Sequence, residues 1–165
     1  MIHDYCLKNK VLRTLFLSLM FCNIAEAESS LPKCQGDSFP TWNNCYGEAG
    51  PLPISGDIYA GEWKSGKYHG QGSIEYSDGT KYIGKWRDGL PNGQGTLTDS
   101  IGNEYIGEFK DGMRHGQGTY TMSDGSNYSG EWADSIPNGE GIYTFADGKI
   151  DKGIWKKGKL IKRKK

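Results

Sequence analysis

Histidine and cysteine are the side chains best suited to chemistry near neutral pH, and this 165-residue chain has three and four of them. Beyond residue 27 they reduce to His69 and His115, candidate general bases or zinc ligands, and to Cys34 and Cys45, 11 positions apart. Glu62, Glu108 and Glu131 form a third group, recurring at one phase of a 23-residue period. Such a row of acids could chelate calcium weakly, but no DxDxDG loop accompanies it. No serine or cysteine sits in a GxSxG-like or Cys/His context, and no phosphate-cradling loop precedes a helix. The sequence thus offers no catalytic residue, no cofactor-binding residue and no metal site.

The elements that must position these side chains are repeats. Tyr59, Tyr82, Tyr105 and Tyr128 are spaced 23 apart, with Gly61, Gly84, Gly107 and Gly130 two residues on. Two further on come Trp63, Trp86, Phe109 and Trp132. The glycine pairs Gly70/Gly72, Gly93/Gly95, Gly116/Gly118 and Gly139/Gly141 follow, and each unit closes at Gly79, Gly102, Gly125 or Gly148. The period-two spacing within Tyr59-Ala60-Gly61-Glu62-Trp63 means strand, with the rings on one face and Ala60 and Glu62 on the other. Lys64-Ser65-Gly66 reads as a turn, a second strand is expected from about Gly70 to Tyr76, and Ser77-Asp78-Gly79 turns again. Glycine in mid-strand ordinarily weakens a sheet; here it is expected to make room for Tyr and Trp rings to lie across the backbone. The fold class that follows is all-β: one elongated single-layer antiparallel sheet of tandem β-hairpins, with no helical domain. Two strands per repeat put His69 and His115 roughly 19 Å apart, too far to share an ion.

The pattern Y-x-G-x-W-x-x-G-x-x-H-G-x-G followed by D-G resembles the MORN repeat. Repeat one (59–81) matches throughout and repeat three (105–127) departs only at Phe109. Repeats two (82–104) and four (128–150) carry Pro91-Asn92 and Pro137-Asn138 where the others end in His69 and His115. Ile101 and Ser135 are further departures. Residues 151–165 read as a decayed fifth repeat, lacking the opening Tyr, with a basic tail. Cys45-Tyr46-Gly47-Glu48 with Gly56-Asp57 resembles an eroded half-repeat that caps the array within 28–58. The resemblance implies a protein-interaction scaffold, with membrane phospholipid binding as a second implied option.

Residues 1–27 read as a signal peptide: Lys8, Lys10 and Arg13, an apolar stretch from Leu15 to Ile24, then Ala25-Glu26-Ala27 before a mature start at Glu28. An uncleaved anchor and lipoprotein processing at Cys22 are the competing readings. Export leaves Cys34 and Cys45 as an even pair in an oxidising compartment, most simply a disulfide, the alternative being a reactive or metal-binding thiol pair. Charge is polarised. Glu28 to Gly148 carries 17 acidic and eight basic residues, whereas Lys149 to Lys165 carries nine basic and one acidic. Lys156, Lys157, Lys159, Lys162, Arg163, Lys164 and Lys165 are therefore the candidate anionic-surface residues.

Two functions compete. One is a non-catalytic module of the cell envelope, periplasmic or extracellular, that binds a protein partner through one face of the array. The other is binding to an anionic membrane surface or polysaccharide through the basic tail and an exposed aromatic face. Nucleic acid is not expected as a partner of an exported protein. The variable positions Tyr68, Met113, Arg114 and Ile136 are the ones left unexplained by folding.

Overall fold

Two adjacent residues in the left-handed region close each short hairpin turn. The pairs are Ser65-Gly66, Asp88-Gly89, Asp111-Gly112, Asp134-Ser135 and Lys157-Gly158, all with φ between 50° and 90°. This is the geometry whose twist matches that of the flanking strands. Glycine tolerates it without a Cβ clash, which is why it fills the second position four times in five. The computed structural model describes residues 29–36, 39–52 and 55–164. The expected signal peptide and Lys165 lie outside these.

Eleven strands result: β1 (Cys45–Ala49), β2 (Ile58–Lys64), β3 (Lys67–Glu75), β4 (Lys81–Arg87), β5 (Leu90–Thr98) and β6 (Glu104–Lys110), then β7 (Met113–Thr121), β8 (Asn127–Ala133), β9 (Ile136–Thr144), β10 (Ile150–Lys156) and β11 (Lys159–Arg163). They form one sheet in sequence order, antiparallel throughout. The expected single-layer all-β fold is the one observed. The only helical element among the described residues is a 3-10 turn, Phe39–Thr41.

Two boundaries differ from the sequence reading. The second strand of repeat one starts at Lys67, not Gly70, because the two-residue turn lets pairing resume at once (Lys64 opposite Lys67, Trp63 opposite Tyr68). It stops at Glu75 because Tyr76 is drawn into the next turn, its N–H bonding Thr80 O and its carbonyl accepting from Gly79 N. Residues 151–165 are also less decayed than their sequence: β10 and β11 make a further hairpin whose Trp155 stands opposite Leu160.

The core is a row of glycines crossed by rings. Gly47, Gly61, Gly72, Gly84, Gly95, Gly107, Gly118, Gly130, Gly141 and Gly153 stand opposite one another from β1 to β10. The tyrosine of each repeat lies over this row. A Cβ at Gly72 would land on the Tyr59 phenol, and one at Gly95 would come within 2.6 Å of the Tyr82 ring. Strand glycine is thus required by close approach of a ring, an arrangement any larger residue would disrupt by overpacking.

Candidate binding surface

Each framework tyrosine anchors its ring by donating to a carbonyl three residues ahead: Tyr59 to Glu62 O, Tyr82 to Lys85 O, Tyr105 to Glu108 O and Tyr128 to Glu131 O, at 2.9–3.1 Å. Each framework tryptophan donates its indole N–H to a glycine of the preceding hairpin. Trp63 bonds Gly47 O, Trp86 bonds Gly72 O, Trp132 bonds Gly118 O and Trp155 bonds Gly141 O. The rings then meet edge to face in one unbroken series from Trp63 through Tyr59, Trp86, Tyr82, Phe109, Tyr105, Trp132 and Tyr128 to Trp155, with centroids 5.0–5.4 Å apart. This is a favoured aromatic geometry. From Tyr59 to Trp132 every framework ring is at most 5% exposed. The framework stripe is core, so a ligand meets the side chains around it.

Burial explains the ionisation of these phenols. Removal from water raises all four above the ordinary tyrosine value, Tyr105 and Tyr128 to about 12. Glu108 and Glu131 serve the backbone. Their carboxylates accept the N–H of Gln117 and Glu140 where each hairpin widens by a bulge next to Gly116 and Gly139. Sequence spacing gave no sign of this role, because the bulge brings the acid over a backbone amide nine residues away.

His69 and His115 stay apart in β3 and β7. His69 stands opposite Glu62, in an open cleft of about 400 Å³ with Lys85, Arg87 and Asn92. Its Nδ1 is buried without a hydrogen-bond partner, 3.9 Å from Asp88 Oδ1 of the next hairpin. Both histidines also serve the fold through their carbonyls, which share the Tyr59 and Tyr105 phenol protons with Glu62 O and Glu108 O at the longer distances of 3.5 and 3.3 Å. No three metal-ligating side chains converge among the described residues.

Cys34 and Cys45 form a disulfide, with Cα atoms 4.9 Å apart. It ties residues 32–34 alongside β1, where Cys34 N bonds Tyr46 O and Tyr46 N bonds Pro32 O. From the loop between them, Trp42 meets Trp63 edge-on at 5.1 Å and Phe39 lies 5.8 Å from the same ring. This segment covers the first end of the ring series.

The variable positions fall into two sets. Tyr68 and Arg114 lie on the ring face: Tyr68 stacks on Tyr59 at 3.8 Å, and the Arg114 guanidinium lies 4.7 Å from the Trp132 centroid and 5.0 Å from that of Tyr120. Met113 and Ile136 lie on the opposite, outer face, in one row with Leu90, and the three are 43–48% exposed. Ile106 and Ile142 are exposed in a second row of that face.

Among the tail residues, Lys156, Lys159, Lys162 and Lys164 share the outer face with Lys152 by strand register. Arg163 is on the ring face, paired with Asp151 at 2.8 Å, and Lys164 pairs with Glu140. Lys157 occupies the last short turn.

Residues 59–81, 82–104, 105–127 and 128–150 each match the family model of the MORN repeat. Comparison with curated proteins finds no match.

Proposed function

Because the chain belongs to the MORN repeat family, we propose that it is a non-catalytic binding module holding a protein partner against its outer face. Repeats of this family are commonly binding or scaffold modules. The observation that carries the reading is the exposed row Leu90, Met113, Ile136. These three apolar side chains recur every second strand, about 10 Å apart, and nothing in the hairpin framework needs them. Arg87 and Lys110 stand directly opposite Leu90 and Met113, so the row is apolar between cations and suits a partner with an apolar ridge. We place the module in the envelope, periplasmic or outside the cell, on the strength of its N-terminal pattern and of the disulfide, which an oxidising compartment preserves.

The test is capture of a partner from envelope extracts by the chain and by a Leu90→Glu/Met113→Glu/Ile136→Glu variant. Loss of the partner with an unchanged circular-dichroism spectrum is expected. Equal capture by both would overturn the outer-face reading.

A second reading is supported by the shared face of Lys152, Lys156, Lys159, Lys162 and Lys164: contact with an anionic membrane surface or polysaccharide, worth about 1 kcal/mol per well-placed cation. Because β11 belongs to the sheet, truncating residues 156–165 would remove a strand together with the charge. Replacing Lys156, Lys159 and Lys162 with Gln separates the two. Undiminished binding of that variant to phosphatidylserine vesicles would exclude the electrostatic contact.

A further inference from the structure

Arg114 shows that a guanidinium can be held on the ring face of this array. It lies over Tyr105, Tyr120 and Trp132 at 5.7, 5.0 and 4.7 Å from their centroids, and its Nη2 donates to Ser135 O at 3.0 Å. Cation–ring contacts of this kind are favourable. One repeat later the same three ring positions are filled by Tyr128, Tyr143 and Trp155. The ring spacings are reproduced: Tyr105–Trp132 and Tyr128–Trp155 are both 5.2 Å, and Tyr120–Trp132 and Tyr143–Trp155 are both 6.3 Å, the last pair being tilted at 45° where its counterpart stands at 75°. What differs is the occupant, since Arg114 is matched by Pro137. Proline closes on its own backbone and cannot extend a cation over the rings.

Three further observations mark this last box. Trp155 is partly exposed, whereas Trp63, Trp86, Phe109 and Trp132 are buried. Phe145, 41% exposed, meets Tyr143 edge-on at 4.6 Å and widens the aromatic wall. Lys152, Lys156, Lys159, Lys162 and Lys164 share the outer face, and Arg163, on the ring face, is neutralised by Asp151. Repeat two also has a proline, Pro91, but Leu97 and Phe109 stand where the box needs Tyr and Trp.

We propose that the partly exposed aromatic wall of Tyr143, Phe145 and Trp155, standing over the buried Tyr128, receives an arginine side chain of a partner protein, in the place that Arg114 fills in the preceding repeat. This rests on the binding-module reading and adds a contact on the face opposite the apolar row.

The array supplies its own controls. Titration with N-acetyl-arginine amide, followed by nuclear magnetic resonance of the indole N–H groups, should shift Trp155 saturably and leave Trp132 unmoved, with N-acetyl-glutamine amide shifting neither. Pro137→Arg should fill the box from within and abolish the Trp155 response. Arg114→Pro should open the third-repeat box and add a saturable response at Trp132. An unresponsive Trp155, or a response undiminished in Pro137→Arg, overturns the proposal, as does a folded Arg114→Pro chain with a silent Trp132. If Arg114→Pro does not fold, Pro137→Arg decides alone. Partner capture that persists in Pro137→Arg removes the box from the interaction while leaving the outer-face reading standing.

Discussion

The tryptophan of each repeat reaches back to a glycine carbonyl of the preceding hairpin, and repeat three lacks that bond because Phe109 has no N–H to give. Trp63, Trp86, Trp132 and Trp155 all make it, at 3.0–3.1 Å. Phe109 keeps the same edge-to-face neighbours, Tyr82 at 5.0 Å and Tyr105 at 5.1 Å, so the site already has the right ring geometry. Replacing it with Trp should therefore add one hydrogen bond, to Gly95 O, and stabilise the chain by about 1 kcal/mol. The reverse change, Trp86→Phe, should cost about as much. Urea unfolding curves of both variants check the pair, and a destabilised Phe109→Trp would show that the repeats are not equivalent in depth. Sequence spacing predicted the ring and its face, but hydrogen-bond direction needed the register between hairpins.

At the scale of elements, the hairpins are joined by more than ladder pairing. Each short turn donates an N–H to a carbonyl of the preceding unit: Gly66 to Trp42, Gly89 to Tyr68, Gly112 to Pro91, Ser135 to Arg114 and Gly158 to Pro137. The first of these bonds ends on the disulfide-tied segment, which is thereby fastened to the array. Cys34 and Cys45 close a short loop, for which chain entropy gives about 3 kcal/mol. Cys34→Ser should release residues 32–34 from β1 and, with them, the cover of Phe39 and Trp42 over Trp63, while the central hairpins persist. A red shift of tryptophan emission with retained strand content is the expected result. Cooperative loss of the whole sheet would show instead that the segment is integral to the fold.

Over the whole molecule, stability is carried by one ring series in a sheet without a second layer, so the ionisation of its phenols bears on all repeats together. Tyr59, Tyr82, Tyr105 and Tyr128 hold their protons more tightly when folded, mainly through burial. A group whose folded pKa lies above its unfolded value contributes fully below the unfolded value, about 10 for tyrosine, and the contribution is lost as pH rises through the folded one. The array should hold its structure to about pH 10 and unfold as pH climbs toward the value of about 12 reached by Tyr105 and Tyr128. Absorbance at 295 nm should rise together with loss of the strand signal. Phenolate appearing well before unfolding would contradict the buried series.

The sequence by itself determined the hairpin, its 23-residue period and the face each ring takes, because glycine placement, turn residues and alternation are local properties of the chain. It also narrowed the cysteines to one pair. Tertiary structure decided what those features are for. Only the cross-strand register shows that Tyr59 covers Gly72, that Glu108 accepts an amide nine residues away and that Leu90, Met113 and Ile136 stand in one exposed row. Only ring packing shows that the stripe is buried, and that Arg114 fills a box which Pro137 does not. A binding surface depends on which side chains the packing leaves uncovered, and that is set by partners far apart in the chain.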